Sequence, residues 1–226
     1  SQDKAERLKE FGAEISVSIK DVVTNSDIII TMLTDDNAVE KVMDSDEFIF
    51  NIKEGATVID MSSVNPVLAI KYSKKLKEKK VNYLDAPVSG GTIGAEEATL
   101  AIMIGGDEET FRNCYELLKI MGNPTLVGPI SSGQISKLAN QIIVGVTIGA
   151  VAEAVTLCEK SGTNPSKMIE ALSGGWADSK ILQTHGKRMI NKDFTPKGKT
   201  TTQLKDMTNI VNAGKAAETH LPISSL

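Results

Sequence analysis

Residues 27–33 read Asp-Ile-Ile-Ile-Thr-Met-Leu, and this stretch decides the fold class. Its apolar residues follow one another without the polar alternation of a half-buried strand, which predicts a strand covered on both faces. Such strands occur in parallel sheets that have helices packed on both sides. Helical patterns precede and follow this strand, over residues 2–12 and 35–43. The sequence therefore predicts an α/β domain built around residues 27–33.

The alternation of strand and helix patterns continues to about residue 129. Four more strands are predicted, at residues 56–62, 81–86, 98–104 and 124–128. Asn65 is suited to cap a helix whose first residue is Pro66, and Asp107 precedes a second clear helical stripe. Short connections between alternating elements are typical of an open, doubly wound sheet that is mostly parallel.

The pattern changes after that point, because no strand is predicted from residue 131 onward. Helices are predicted instead, at residues 131–161, 165–173, 177–191 and 199–218. The first of them is rich in glycine and alanine, which lets other helices approach closely and predicts a central position in its domain. We therefore expect two domains, residues 1–129 with the sheet and residues 130–226 with helices only.

Composition excludes several classes of protein. The chain has 25 Lys and Arg against 29 Asp and Glu, a formal net charge of −4, and only 4% aromatic residues. Neither the charge nor the aromatic content suits nucleic-acid binding. His185 and His220 have no partners at metal-ligand spacing, so no metal site is expected.

The cysteines and the longest apolar stretch bear on location. Cys114 and Cys158 form no CxxC pattern and are interpreted as reduced thiols of an intracellular, cytoplasmic protein. Residues 138–155 form the longest apolar stretch, but it contains Asn140, Gln141 and other polar residues, and is interpreted as too polar for a membrane span.

Three short stretches contain residues that suit chemistry: DMSS at 60–63, DAPVSGG at 85–91 and GQISKLANQ at 133–141. The first two follow predicted strands, where open α/β sheets bind their ligands. Each has two interpretations from its residues alone. The serines of DMSS suit a cofactor or a helix cap, SGG suits an anion site or a bare turn, and Lys137 suits proton transfer or a surface position.

Together these stretches resemble one family, the β-hydroxyacid dehydrogenases of the 3-hydroxyisobutyrate dehydrogenase and tartronate semialdehyde reductase type, which are related to 6-phosphogluconate dehydrogenase. The resemblance also includes Gly105-Gly106 and Leu204-Lys205-Asp206, all in the family's order. It implies a Rossmann-type dinucleotide-binding domain over residues 1–129. It also implies a helical substrate and oligomerisation domain over residues 130–226.

The resemblance implies an oxidoreductase that transfers a hydride between NAD or NADP and a short β-hydroxy acid or its semialdehyde. Lys137 corresponds to the family's catalytic lysine, which acts as general acid and base, and Asn140 to a substrate ligand beside it. Ser89, Gly90 and Gly91 are similar to the family turn that holds the substrate carboxylate. A small carboxylate substrate and a homo-oligomer, dimer or tetramer, are therefore expected, with no nucleic acid or membrane partner.

The resemblance also assigns residues to the cofactor. Leu33 and Thr34 are expected under its adenosine half, and Ser63 is expected near the nicotinamide ribose. Lys205 is similar to a family lysine that reaches the cofactor from the helical domain.

The chain also departs from the family pattern. No G-x-G-x-x-G turn is present, and the first strand-helix-strand unit and the closing helices are absent, so each domain is expected to be incomplete at its outer end. Gln141 and Thr34 replace the Asn and Pro of many relatives, which leaves the substrate open. The choice between NAD and NADP is open too. The alternative function is that of an inactive family member serving as an assembly or regulatory module.

Overall fold

A computed structural model describes residues 5–196, 198 and 200–225. Contacts between Cα atoms divide the chain into two compact units, residues 1–137 and residues 138–226. We call the first the sheet unit and the second the helical unit, and each is described by itself.

The sheet unit contains one six-stranded sheet. Its strands are β1 Ile28–Thr31, β2 Thr57–Asp60, β3 Asn82–Asp85, β4 Val88–Ser89, β5 Leu100–Gly105 and β6 Gly122–Gly128. The order is β1-β2-β3-β5-β4, with β6 paired to β5. The pairs β1–β2, β2–β3 and β5–β6 are parallel, whereas β5 is antiparallel to β3 and β4. This mostly parallel sheet confirms the predicted fold class, although the two-residue strand β4 was not predicted.

Helices connect these strands. Their bounds are α1 Ile19–Asn25, α2 Asp36–Met43, α3 Asp46–Ile49, α4 Pro66–Lys77, α5 Gly91–Glu96, α6 Glu108–Met121 and α7 Ser132–Lys160, the last continuing into the helical unit. Helices α2, α4, α6 and α7 correspond to predicted helices, whereas α1, α3 and α5 were not predicted. Asn65 caps α4, as predicted, because its side chain accepts a hydrogen bond from Val67 N. Asp107 caps α6 by accepting from Thr110 N.

The helix predicted at residues 2–12 differs. Residues 1–4 lie outside the described part of the chain, and Arg7–Phe11 form a 3₁₀ helix. None of these five residues is buried. Because most helical stability comes from packing of an apolar face, this segment lacks what would hold a longer α-helix.

The core of the sheet unit lies on both faces of the sheet. Successive strand residues point to opposite faces. Val58 and Tyr83 accordingly belong to one buried cluster with Tyr72 of α4. Ile59 and Leu84, their neighbours in sequence, belong to a second cluster that contains residues of α6. Helices therefore cover β2 and β3 on both sides, as expected for parallel strands.

The prediction of two covered faces is wrong for β1. Ile29 and Thr31 are buried, but Ile28 and Ile30 are 37% and 41% exposed. The reason is that Ile29 packs in a buried cluster with Val23 and Val39, whereas the described residues cover the opposite face of β1 only in part.

The helical unit contains no strand among its described residues. After the remainder of α7 come α8 Pro165–Leu172, a π-helical turn Leu182–Gly186, α9 Lys187–Ile190, α10 Thr200–Ala216 and a 3₁₀ turn Ile223–Ser225. Its main buried apolar cluster is small, with Val151, Val155, Ile169 and Leu182 fully buried. The predicted helix at 199–218 corresponds to α10, and residue 199 lies outside the described residues.

Helix α7 is both long and apolar. By length and composition it could cross a membrane, with a mean hydropathy of 1.8 over 18 residues, so the sequence argument that its polar residues exclude a span does not hold. Core helices of soluble proteins meet the same criteria. Few residues of that window are buried within this chain.

Candidate active site

The ends of three parallel strands meet at one edge of the sheet. Thr31 at the end of β1 is the register partner of Asp60 on β2, and Asp60 is the partner of Asp85 on β3. The loops that follow these strands contain the predicted cofactor and substrate stretches. The carboxyl edge of an open α/β sheet is also where ligands bind.

Asp60 is completely buried and is held by three donors. Thr31 Oγ1 donates a hydrogen bond to its Oδ1 at 2.8 Å, and Ser62 N donates to the same oxygen at 3.1 Å. The hydroxyl of Tyr83 donates to Oδ2 at 3.3 Å. Burial raises the pKa of Asp60, and these hydrogen bonds oppose the shift. Asp60 therefore holds the end of β1 and the start of the next loop against β2.

The loops after β1 and β2 are joined directly. The backbone N–H of Leu33 donates to the hydroxyl oxygen of Ser62 at 2.9 Å. Ser62 is buried, Leu33 and Ser63 are half-buried, and Thr34 is exposed. The structure thus brings together three of the predicted cofactor residues, Leu33, Thr34 and Ser63, on adjacent loops.

Asp85, also completely buried, connects β3 to the first turn of α7. Its Oδ1 accepts from Ser131 N at 2.8 Å, and its Oδ2 accepts from Gln134 N at 2.9 Å. Burial raises the pKa of Asp85 to about 6, against the opposing effect of the two N–H donors. The carboxylate also lies at the positive end of a long helix, where negative charge is favoured.

Two glycines make room for this carboxylate. A Cβ atom at Gly105 would lie 2.5 Å from Asp85 Oδ1, and one at Gly133 would lie 2.8 Å from Oδ2. Both positions also face backbone oxygens, Pro129 O at 2.8 Å and Met103 O at 2.4 Å. A side chain at either position would displace backbone or the carboxylate. The need for room beside Asp85 therefore explains why positions 105 and 133 are glycine.

Gln134 makes the second connection from α7 to the sheet edge. Its Nε2 donates to Ser62 O at 2.8 Å, and its Oε1 accepts from Val64 N at 3.1 Å. The side chain is 1% exposed. Both ends of the amide are therefore used, and the first turn of α7 is held to the loop after β2 as well as to β3.

The Ser89 turn begins four residues after Asp85. Ser89 ends β4 and is half-buried, and Gly90 and Gly91 are exposed. Their φ angles are +143° and +65°, which favour glycine, and a Cβ at Gly90 would lie 3.1 Å from Leu100 Cδ2. Consecutive residues of this kind can present backbone N–H groups to an anion.

The remaining predicted residues lie along α7 and α10. Lys137, one turn after Gly133, is half-buried. In the helical unit, Asn140 Nδ2 donates to Gln141 Oε1 at 2.8 Å, and Gln141 Nε2 donates to Asp206 Oδ2 at 2.7 Å. Lys205 Nζ lies 3.5 Å from Asp206 Oδ1. Asn140 and Lys205 are therefore linked through a short polar chain.

This polar chain borders a cavity of about 790 Å³ within the helical unit. Gln141 and Asp206 line it together with residues of α10 and of the segment before it, among them Phe194, Thr195 and Gln203. Among the described residues, no group of three or more His, Cys, Asp or Glu side chains could hold a metal.

Asp60, Asp85 and Gln134 lie in the stretches singled out from the sequence but were given no role of their own, although they organise this edge of the sheet. A signal was present. An aspartate ends each of two nearly continuous apolar strands, and a buried charge at such a place requires partners.

Two family models match the chain and together cover it. Residues 1–130 match the NAD-binding domain of 6-phosphogluconate dehydrogenase. Residues 131–226 match the NAD-binding domain described for NADP-dependent 3-hydroxyisobutyrate dehydrogenase. The second match includes the whole of α7, which assigns that helix to a dehydrogenase domain.

Individual proteins agree with these matches. 2-Hydroxy-3-oxopropionate reductase of Escherichia coli (strain K12) is 41% identical over 220 residues, which cover 96% of this chain and 75% of that protein. 2-(Hydroxymethyl)glutarate dehydrogenase of Eubacterium barkeri is 34% identical over 218 residues, 95% of this chain and 72% of that protein. A solved structure of Mycobacterium tuberculosis 3-hydroxyisobutyrate dehydrogenase with L-serine has a TM-score of 0.89 at 27% identity, and the match covers 100% of this chain and 79% of that one.

Proposed function

The chain belongs to the β-hydroxyacid dehydrogenase family, and on that premise we propose that it interconverts a short β-hydroxy acid and its semialdehyde through Lys137. Membership makes it an oxidoreductase that uses NAD or NADP. The identity of the acid and the roles of individual residues are our proposal. We assign dinucleotide binding to residues 1–129, and substrate binding and oligomerisation to residues 130–226.

Lys137 transfers the proton of the reaction. In oxidation the hydroxyl O–H bond of the substrate breaks and its proton passes to Lys137 Nζ. In reduction the ammonium returns a proton to the carbonyl oxygen, which stabilises the alkoxide charge that develops there. When bound, NAD or NADP takes up or returns the hydride of the substrate carbon.

The observation that carries this proposal is the attachment of the first turn of α7 to the end of β3. Asp85 accepts hydrogen bonds from Ser131 N and Gln134 N, three residues before Lys137. The same strand end continues into Ser89 after four residues. Lys137 and the proposed carboxylate turn are therefore both attached to the end of β3, the lysine through the hydrogen bonds of Asp85 and the turn through the chain itself.

Ser89, Gly90 and Gly91 hold the substrate carboxylate through the serine hydroxyl and the backbone N–H groups of the turn. Asn140 contacts the substrate from the next turn of α7 after Lys137, since residues three apart share a helix face. A carboxylate requirement follows from this arrangement. Simple alcohols and uncharged aldehydes are expected to be poor substrates.

The cofactor residues are Leu33, Thr34 and Ser63 at the sheet edge, and Lys205 on α10. The direct hydrogen bond from Leu33 N to Ser62 Oγ supports a shared role for the first two loops, because it fixes one against the other. Lys205 supplies a positive charge to the cofactor from the helical unit. Its ion pair with Asp206 limits the freedom of that side chain.

A substrate panel tests this function. The purified enzyme is assayed by absorbance of the reduced cofactor with NAD and NADP. The substrates are those that name its relatives: 2-hydroxy-3-oxopropionate, 3-hydroxyisobutyrate and 2-(hydroxymethyl)glutarate. Turnover of at least one of them is expected. Preference for a simple alcohol over all three would contradict the proposal.

The carboxylate turn is tested with a matched pair of substrates, the best acid and its uncharged amide. Charge-assisted hydrogen bonds are worth about 1.5–3 kcal/mol each, so kcat/KM is expected to be at least about tenfold higher for the acid. The difference should shrink in Ser89→Ala. Equal kcat/KM for acid and amide would contradict the proposal that this turn binds the substrate carboxylate.

We also propose that the protein is a homo-oligomer, with dimer or tetramer symmetry, associating through its helical unit. Ile143 and Leu157 on α7 are 67% and 68% exposed, while the unit's buried apolar cluster is small. Light scattering at micromolar concentration should give a multiple of the chain mass. A strict monomer would contradict the proposal. The two free cysteines support a cytoplasmic location, which stays a prediction.

A further inference from the structure

We propose that Asp85 and Gln134 are positioning residues, which fix Lys137 relative to the Ser89 turn by holding the first turn of α7 to the ends of β2 and β3. This inference rests on the proposed function of Lys137. It adds two residues that neither bind the substrate nor transfer its proton.

The connection made by Asp85 is specific rather than a general helix cap. Both carboxylate oxygens are used, one for Ser131 N and one for Gln134 N, and the group has no exposure to solvent. An exposed cap tolerates a shift of its helix because water replaces a lost bond. A buried carboxylate has no such replacement, so its two bonds define the position of the helix start.

The space around Asp85 is equally restrictive. The backbone at Gly105 and Gly133 approaches the carboxylate so closely that no side chain fits at either position. The carboxylate is therefore enclosed between the end of β5 and the first turn of α7. A movement of α7 toward the sheet is blocked by contact, and a movement away breaks hydrogen bonds.

Gln134 restrains rotation of the first turn of α7. Its amide connects α7 to the loop after β2 through Ser62 O and Val64 N. Two anchors on two different strand ends prevent rotation of the first turn about either one. Lys137 lies three residues, or about 4.5 Å of helix rise, after Gln134, so the restraint passes to it through less than one turn.

The functional consequence follows from the geometry of proton transfer. A misplacement of about 1 Å can cost about a hundredfold in rate. The segment from Asp85 to Ser89 is short, and Asp85 connects directly to the start of α7. Loss of the anchor therefore changes the separation between the proposed proton donor and the proposed carboxylate site. It lowers kcat without removing any group that reacts.

Two variants test the anchor at different bonds. Asp85→Asn keeps the size of the side chain but presents an NH₂ group to one of the two backbone donors. Gln134→Met keeps the volume and removes both amide hydrogen bonds. Each is expected to lower kcat at least about tenfold, with KM for NAD or NADP changed less than about threefold.

The control is Asp107→Asn. Asp107 Oδ1 accepts from Thr110 N at 2.9 Å and caps α6, which contains none of the proposed site residues. The same chemical change at this cap is expected to leave kcat within about twofold. Circular dichroism confirms that each variant is folded. If Asp85→Asn does not fold, Gln134→Met carries the test.

A double variant separates this inference from the proposed function. If Lys137→Ala keeps the wild-type kcat, the role of the lysine is wrong. If Lys137→Ala is inactive and both anchor variants keep kcat within twofold, the positioning role alone is wrong. Lys137→Ala combined with Asp85→Asn is expected to be no slower than Lys137→Ala, because residues that act as a unit are not additive. A further tenfold loss would also overturn the positioning role.

Discussion

The two units of the chain differ in how they bury their residues. The sheet unit has two apolar clusters, one on each face of its sheet, and completely buries Asp60 and Asp85 between them. The helical unit has a smaller cluster and leaves apolar residues of its longest helix exposed. The sheet unit thus has the packing to hold polar groups in fixed positions, whereas the helical unit leaves more of its apolar surface exposed.

Matched leucine truncations measure this difference in packing. Leu84 is completely buried in the sheet, and Leu182 is 3% exposed in the small helical cluster. Truncation of a buried leucine to alanine costs about 2–5 kcal/mol, more where the surroundings cannot relax. We expect Leu84→Ala near the top of that range and Leu182→Ala near the bottom, measured by urea denaturation with separate transitions for the two units. Equal losses would show that the units are equally well packed.

The buried carboxylates of the sheet unit predict that its free energy of unfolding depends on pH. The folded-state pKa of Asp85 is raised from the ordinary value of 3.8 to about 6. The folded state therefore binds the proton more tightly, so this contribution is fully present below about pH 4 and is lost as the pH rises through about 6. The loss amounts to about 3 kcal/mol, from the two pKa values.

Asp85→Asn isolates that contribution. Its free energy of unfolding should change less between pH 4 and pH 7 than that of the wild type, because the titrating group is gone. Asp60, whose pKa is also raised by burial, contributes with the same sign in both proteins. An identical pH dependence of wild type and variant would mean that Asp85 titrates as it does in the unfolded chain.

Removal of a helix cap is expected to have the smallest effect on stability, and it compares the two units at their surfaces. Asp107 caps α6 in the sheet unit, and Asn164 caps α8 in the helical unit by accepting from Ser166 N at 2.9 Å. Both are surface caps, so Asp107→Ala and Asn164→Ala should each cost about 1 kcal/mol in the unit that contains them. A much larger cost in one unit would mean that its cap does more than satisfy local N–H groups.

The sequence predicted the parts of this fold that depend on local pattern. Apolar runs located β2 and β3, and Asn65 and the helical stripe after Asp107 located two helix starts, because these signals come from neighbouring residues. β1 was predicted as a strand but not as an exposed edge. Its position depends on which strands pair, and strand pairing is not a local property.

The residues of the candidate site likewise divide into those that a local sequence pattern identifies and those that only the tertiary structure identifies. Ser89, Gly90 and Gly91 could be singled out because a serine before two glycines is a local signal for a turn. The anchor formed by Asp85 and Gln134 joins residues 49 positions apart, and only the tertiary structure shows the bond. Local reasoning therefore identified residues proposed to touch ligands, while the residues that position them became evident only in the folded sheet unit.

The turnover number of Lys137→Ala tests the account most directly, because every other role depends on that lysine. Loss of general acid and base catalysis is expected to lower kcat by about a hundredfold to ten-thousandfold. Cofactor binding and the unfolding transition should stay close to wild type. Lys160→Ala, at the exposed far end of the same helix, should keep full activity. A Lys137→Ala enzyme with more than a tenth of the wild-type kcat would contradict the proposed role of Lys137 in proton transfer.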